Sequence, residues 1–593
     1  MHHSIQQLLR RLWLHTMPRR RMQFGILFAL MILAAFAEVI SIGAVLPFLG
    51  VLTAPERVFS HSIAQPLIQV LKLTEPRQLL LPLTVAFGIT VLVSGAMRLG
   101  LLWAQTRFSH AIGADFSISI YRRTLYQPYA VHVARNSSEV IAGISNKANT
   151  VVYSTLMPAL TLLSSSMMLL AILMALVAIE PVVAFSAFAG FGGIYVLVIL
   201  VTRKRVALDS QRISFEQNQV IKALQEGLGG IRDVLIDGTQ ATYCNIYRNA
   251  DLPLRRAQAN IQIIGSSPRY GIEALGMVLI LALAYSLAGR SEGISGAIPV
   301  LGALALGAQR LLPVLQQAYS SWSSMSGGQV SLSDALELLD QPLPQHADEP
   351  LSVPMPFQQS ITLNNLAFRY TSQSPWVLEG LNLTILKGSR IGFMGTTGSG
   401  KSTLLDIIMG LLQPTVGSLS IDGVTITPQN YRAWQAHIAH VPQAIFLADT
   451  SIAENIAFGV PLDQIDQIRL RQAAQQAQIA ETIESWEKQY DTLVGERGIR
   501  LSGGQRQRIG IARALYKKAN VIVFDEATSA LDNDTERAVM KAIESLGDEL
   551  TILIVAHRLS TLKNCTQIVE LSDGQITRRG SYAEIVDPKA ESF

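Results

Sequence analysis

Charge is scarce in this chain. Only 16% of its 593 residues are Asp, Glu, Lys or Arg, against about a quarter in ordinary soluble domains. Apolar residues make up 49% and mean hydropathy is +0.31, so part of the chain belongs in lipid. The net charge is only +4. No basic stripe stands out, which argues against a nucleic-acid partner. Cysteine is nearly absent too. Cys244 and Cys565 lie far apart, both in segments expected in the cytoplasm, and read as free thiols rather than a disulfide framework. No internal repeat or low-complexity tract appears. A cleavable signal peptide is not expected. Residues 1–21 are polar and basic, and the apolar run after them is too long for its core.

What is present starts with a basic N-terminus. Arg10 and Arg11 interleave with Leu8, Leu9, Leu12, Trp13 and Leu14, and Arg19, Arg20 and Arg21 follow. This predicts a short amphipathic helix on the membrane surface, with the N-terminus in the cytoplasm. Six apolar segments come next, at about 23–50, 79–103, 154–178, 181–202, 270–289 and 296–322. Each is near the roughly 20 residues that span a bilayer. The loops at 104–153 and 203–269 are long and basic, carrying Arg107, Arg122, Arg123, Arg135 and Lys147 in one and Arg203-Lys204-Arg205 in the other. The loops between spans three and four and between five and six are short. Six spans with both termini cytoplasmic follow from this alternation. The two inner loops read as helical throughout, with turning points near 135–139 and 227–233, and suit contact with a cytoplasmic motor. The outer loop 51–78 places Ile63, Leu67, Val70 and Leu71 on one helical face, for a lipid surface or a capped connector. Residues 323–360 turn polar and proline-rich and read as a linker.

The second half carries the chemistry. Gly395-Thr396-Thr397-Gly398-Ser399-Gly400-Lys401-Ser402 matches G-x-x-x-x-G-K-[ST], between a buried strand and a helix starting near Thr403. Gly395, Gly398 and Gly400 let backbone N–H groups close on phosphate oxygens, together with Ser399 and the helix start. Lys401 reaches the β- and γ-phosphates, and the Ser402 hydroxyl suits Mg²⁺. Tyr370, some 25 residues ahead of this loop, is placed to stack on adenine or to pack its own strand. The run 521–526 reads as a buried strand ending in Asp525 and Glu526. Asp525 would hold Mg²⁺ through water, and Glu526 would act as general base on the attacking water. Leu501-Ser502-Gly503-Gly504-Gln505 opens a second helix and forms a second anion cradle. One nucleotide needs only one cradle from a chain. Two chains arranged head to tail would use both.

From about residue 361 to the end the sequence resembles the nucleotide-binding domain of ATP-binding-cassette (ABC) transporters. The resemblance implies ATP with Mg²⁺ as cofactors and further roles for residues that match the family's motifs. Gln443, in His440-Val441-Pro442-Gln443, would touch Mg²⁺ and water. Val494-Gly495-Glu496-Arg497-Gly498 looks like the element that precedes the signature in exporters. Asp532, in Ser529-Ala530-Leu531-Asp532, would lie at a dimer seam, and His557, in Ala556-His557-Arg558, near the γ-phosphate. The motif set is complete, so a homodimer would have two working ATP sites. The implied fold is multi-domain. An all-α transmembrane domain with six spanning helices (the type I exporter, type IV ABC fold) covers 1–322. A linker follows at 323–360, and an α/β phosphate-loop NTPase domain covers 361–593.

The spans also carry unusual charges: Glu38, Arg98, Arg269, Glu273 and Arg310. Intramembrane charges point to a pathway or to mutual ion pairs. Three arginines against two acids leave a positive excess that suits an anionic head group. Phe36-Ala37-Glu38 with Leu46-Pro47-Phe48, Pro268-Arg269-Tyr270-Gly271-Ile272-Glu273 and Arg310-Leu311-Leu312-Pro313 resemble the bacterial lipid-linked oligosaccharide flippases. That resemblance implies a polyprenyl-pyrophosphate oligosaccharide moved outward across a bacterial inner membrane. Arg98, Arg269 and Arg310 would then hold the pyrophosphate. An exporter of another glycolipid, a peptide or a drug stays open, as does an ATP-gated channel or regulatory membrane ATPase.

Overall fold

The computed structural model describes residues 4–586 apart from 54, 62–63, 136–139, 142, 180, 275–276, 279–280, 282–292, 350–352, 526–532, 545–548 and 556–561. The chain divides into two compact units, residues 1–127 with 135–343 and residues 128–134 with 344–593.

The first unit is helical. Its principal helices are α1 (Ile5–His15), α2 (Pro18–Gly43), α3 (Leu80–Leu125), α4 (Met157–Ile179), α5 (Pro181–Gly229), α6 (Gln240–Ser266), α7 (Gly293–Gly327) and α8 (Gln329–Leu339). Pro18 opens α2, where its missing N–H costs no hydrogen bond. At about 1.5 Å per residue, the 46 residues of α3 run for roughly 69 Å, over twice the thickness of a bilayer's hydrocarbon core. The 49 residues of α5 run slightly further. Both inner extensions therefore continue their spans as unbroken helix. Among the described residues, Pro18–Leu52, Pro76–Leu125 and Ala148–Val177 are long and apolar enough to cross a membrane. They cover the first three expected spans. The fourth and sixth fall within α5 and α7, and most of the fifth lies outside the described residues. Just ahead of α4 the chain makes two π-helical turns, Gly143–Lys147 and Val152–Leu156, with the single α-turn Ala148–Val151 between them.

Three local expectations change. Part of the apolar face of α1 packs inward, while Trp13 and Leu14 stay exposed. Leu8 and Leu12 are buried in one cluster with Leu332, Leu336 and Leu339 of α8. Arg11 hydrogen-bonds Asp340, and His15 Nε2 lies 2.7 Å from the same carboxylate. The segment 323–343 is not linker but continues the helical unit, because Leu332, Leu336 and Leu339 at helical spacing find a core that its many serines and glycines obscure in sequence. In the 51–78 region it is Ile68, with Val51 and Leu79, that forms a small separate core. Val70 and Leu71 stay exposed, and Ile63 lies outside the described residues.

The second unit holds two sheets. An antiparallel sheet has the order β2-β1-β4-β5, with β1 Ser360–Phe368, β2 Leu378–Leu386, β4 Val416–Ile421 and β5 Val424–Thr425. The other sheet is mainly parallel, with the order β10-β9-β3-β8-β7-β6. Its strands are β3 Arg390–Gly395, β6 Ile438–Val441, β7 Val521–Asp525, β8 Thr551–Val555, β9 Gln567–Ser572 and β10 Gln575–Gly580. The central strands are buried on both faces, as their continuous Val/Ile/Leu runs demand. Strands β6, β7, β8 and β3 are neighbours and all parallel. Their carboxyl ends therefore share one edge, which is where ligands bind in such sheets.

Candidate functional site

The phosphate loop leaves β3 at that edge. Gly395 has φ 146, and a Cβ there would lie 2.1 Å from the Leu571 carbonyl oxygen, so no other residue fits without moving backbone. Gly400, at φ 95, caps the helix α9 (Lys401–Ile408). The N–H groups of this helix start face the cradle formed by the loop. Lys401 is buried. Its Nζ donates to the carbonyls of Gly395 (2.8 Å) and Thr396 (2.9 Å) and lies 3.5 Å from Ser399 Oγ. The ammonium is thus held at the loop by groups that a phosphate can replace. Ser402 is exposed and Thr403 buried. The Tyr370 hydroxyl lies 3.3 Å from Thr403 Oγ1, while its ring stays half exposed, braced edge-on against Phe368 at 5.0 Å. Tyr370 is therefore joined to the loop.

The sheet order brings the other strand ends alongside. Asp525 closes β7, and Gln443 follows β6 in an exposed loop. Glu526, Asp532 and His557 lie outside the described residues. In the chain Glu526 is one residue beyond β7 and His557 two residues beyond β8. Sequence reading missed Asp406, one turn past Ser402 on α9. Burial pushes its carboxyl up to about 6, and the neighbouring Asp525 adds to the effect. Tyr129, from the helix Tyr129–Ala134, adjoins the same group. Burial raises its hydroxyl, with Asp406 and Tyr370 adding. No motif marks either residue, since both act through contacts distant in sequence. A hydroxyl and carboxylates at one edge form a hard-oxygen donor set that fits a divalent cation.

Ser502, Gly503, Gly504 and Gln505 build a different feature. Ser502 caps the helix α10 (Gly503–Lys517), its Oγ accepting from the Gln505 N–H at 3.2 Å. Gln505 Oε1 accepts from the Ser502 N–H at 2.8 Å. This reciprocal box fixes the helix start with its remaining N–H groups presented outward. Among the described residues, none of these hydrogen bonds reaches the phosphate loop. The chain therefore has two separately built anion cradles.

The helical unit holds a cavity of about 590 Å³ whose wall includes Glu38, Arg98, Arg269, Glu273, Gln316 and Gln317. Glu38 is 1% exposed. Ser94 Oγ donates to its Oε2 at 2.6 Å, and Arg98 Nη2 lies 3.3 Å from the same oxygen. Arg269 Nε donates to Glu273 Oε1 at 2.7 Å, one helical turn away, and both side chains are about half exposed. Two of the three expected arginines thus meet in one cavity, each already paired with an acid. The side chain of Arg310 lies outside the described residues, though its backbone belongs to α7. Gln316 of that wall is held from behind by buried Tyr195, whose hydroxyl donates to Gln316 Oε1 at 3.0 Å.

The ABC transporter family model matches residues 378–529, from β2 through the second cradle and β7. A curated relative in Alkalilimnicola ehrlichii, named ATP-dependent lipid A-core flippase, is 31% identical over 402 residues, 67% of each chain. The chain belongs to the ABC transporters. A protein of the same name in Ralstonia nicotianae is 28% identical over 84% of each chain. The structure of a bacterial Atm1-family ABC exporter with ATP bound superposes with a TM-score of 0.76 over 95% of both chains, at 22% identity. The transporter therefore has the exporter fold, a helical membrane domain fused to an α/β nucleotide-binding domain. It is an integral membrane protein that binds ATP and couples its hydrolysis to transport.

Proposed function

We propose that this transporter is a homodimeric lipid flippase of the bacterial inner membrane. Its substrate is an anionic lipid-linked glycan, a polyprenyl-pyrophosphate oligosaccharide, moved from the cytoplasmic to the outer side. The observation that carries this is the cavity where Arg98 and Arg269, each held by an acid (Glu38 and Glu273), share a wall with amides and apolar side chains, so that an anionic head group can compete for both guanidinium groups. Relatives named lipid A-core flippases support a lipid substrate. Both termini are cytoplasmic, as the basic inner loops require.

ATP binds between two copies. Gly395, Gly398, Ser399, Gly400 and Thr403 enclose the phosphates, Lys401 turns from the loop carbonyls to the β- and γ-phosphates, and Tyr370 stacks on adenine. Ser502, Gly503, Gly504 and Gln505 of the second copy close on the γ-phosphate, with Asp532 at the seam. Ser402, Gln443 and Asp525 would hold Mg²⁺, which would supply charge neutralisation on the phosphates. Glu526 orients and deprotonates the attacking water, and His557 fixes the γ-phosphate. Closure of the paired motors passes through the long helices to the spans.

The test uses proteoliposomes with ATP and Mg²⁺. A fluorescent polyprenyl-pyrophosphate oligosaccharide and a fluorescent lipid A are compared, with wild type, Glu526→Gln and an Arg98/Arg269/Arg310→Gln triple variant. Flipping of the oligosaccharide, lost in both variants while the triple variant still hydrolyses ATP, is expected. Flipping of lipid A alone assigns the glycolipid class instead. A Glu526→Gln protein with normal ATP turnover overturns the base assignment.

A further inference from the structure

A second cavity, of about 310 Å³, lies beside the charged one. Its wall comes from the chain just ahead of α4 and from α5, α6 and α7. The polar groups in it are of one kind. They are side-chain amides, from Gln217, Gln258 and Gln262, and hydroxyls, among them those of Ser154, Ser320 and Ser324, and no Asp, Glu, Lys or Arg is among the described lining. Gln258 and Gln262 are exposed one turn apart on α6, and Ser320 and Ser324 one turn apart on α7. Gln217 Oε1 is buried and has no hydrogen-bond partner among the described residues. A buried carbonyl left this way is destabilising unless a donor arrives from elsewhere.

The two cavities are continuous in their walls. Ser320 lines both. Gln316 of the charged cavity donates to the carbonyl of Gly265, in the wall of the neutral one, at 2.9 Å. Along α7, Gln316 and Ser324 are about 12 Å apart at 1.5 Å per residue. That is the reach of a phosphate group followed by a sugar ring.

We infer that the neutral cavity is a sugar subsite. It takes the first uncharged sugar of a lipid-linked head group whose phosphate lies between Arg98 and Arg269. The inference rests on the lipid-linked glycan reading above. Sugar hydroxyls donate and accept at once, and amides and hydroxyls answer both roles. A site that hydrogen-bonds such groups rejects an analogue lacking them, because its own polar atoms are then left unpaired. The absence of charged side chains among the described lining selects against sugars that carry a free carboxylate or ammonium group.

The experiment is equilibrium binding to the full-length transporter in nanodiscs. The probes are farnesyl pyrophosphate and the same lipid bearing one N-acetylglucosamine. Wild type is expected to bind the glycosylated probe at least about tenfold tighter, or about 1.4 kcal/mol. Gln258→Leu/Gln262→Leu removes that preference and leaves affinity for the bare probe within roughly twofold. Ser324→Ala, a smaller change, reduces the preference part-way and serves if the double variant does not fold. Equal binding of both probes by wild type overturns the subsite while leaving the lipid reading standing. So does a preference that survives in the variants. Binding of neither probe overturns the lipid-pyrophosphate reading and the subsite with it.

Discussion

Arg98 and Arg269 face the same cavity, yet their replacement has unequal structural cost. Arg98 Nη2 lies 3.3 Å from a carboxylate whose side chain is 2% exposed. At an effective dielectric of about 20, unit charges at that distance attract by about 5 kcal/mol. Desolvation cancels much of this, and Glu38 keeps the Ser94 hydroxyl in the variant. A net loss of about 2–3 kcal/mol is expected for Arg98→Ala, since breaking a buried pair costs more than the pair contributes. The Arg269–Glu273 pair is 59% and 46% exposed and one turn apart on a helix. Such pairs contribute about 0.3–0.5 kcal/mol. The assay is the melting midpoint of each purified variant, read by tryptophan fluorescence in one detergent. Arg98→Ala should fall several degrees below wild type and Arg269→Ala by about one at most. Adding Glu38→Gln to Arg98→Ala should restore most of the loss, because the buried charge that Arg98 balanced is then gone. Equal midpoints for the two single variants, or no recovery in the double, would refute the reasoning. The result also decides how transport data are read. A transport defect in Arg98→Ala alone mixes fold and substrate, whereas one in Glu38→Gln/Arg98→Ala isolates the lost cation.

Three further outcomes are expected. Asp406, raised to about 6 in the folded protein by burial and by Asp525, binds more protons folded than unfolded between about pH 4 and 6. Stability of the nucleotide-binding unit should therefore fall as pH rises through that window and level off above it. The drop is no more than about 2 kcal/mol after solvent screening of this half-buried group. Asp406→Asn should flatten that slope in nucleotide-free thermal melts, and an unchanged slope would remove Asp406 as its source. Burial pushes the Cys565 thiol up to about 12, while Cys244 is exposed. A maleimide should label Cys244 alone in the native protein and both thiols after denaturation, counted by intact mass. Trp434 is fully buried, and its Nε1 donates to the Ile408 carbonyl at 2.7 Å, closing the end of α9. Trp434→Phe should cost about 1–3 kcal/mol in thermal unfolding, from the unpaired carbonyl and the smaller ring. A variant as stable as wild type would show that the bond is dispensable.

The nucleotide site was readable in sequence wherever its chemistry is local. The glycines of 395–400 and the box at Ser502–Gln505 each work within a few residues, so their spacing carries their geometry. The strand order that sets β3, β8, β7 and β6 side by side has no such signature, because parallel pairing joins segments well apart in sequence, as Arg390 pairs with Ile552 and Ile438 with Val521. Asp406 escaped notice for the same reason: its environment comes from burial in the folded unit and from Asp525 at the end of β7. In the helical unit the charges themselves stood out, and Arg269 with Glu273 lie at legible helical spacing. The Glu38–Arg98–Ser94 contact joins two helices and needed the fold. The polar segment 323–343 misled because its serines and glycines hide three leucines at helical spacing.

The two π-turns ahead of α4 give this stretch a tolerance that the rest of the helix lacks. A π-turn is an α-turn with one residue too many, and the helix on either side keeps its original phase. Deleting a single residue within Val152–Leu156 can therefore be absorbed by tightening the turn, with Ser165 still meeting Gln317 as it does now. The same deletion inside Met157–Ile179 has no slack to draw on. It would turn every side chain on one side of the cut by about 100° relative to the other.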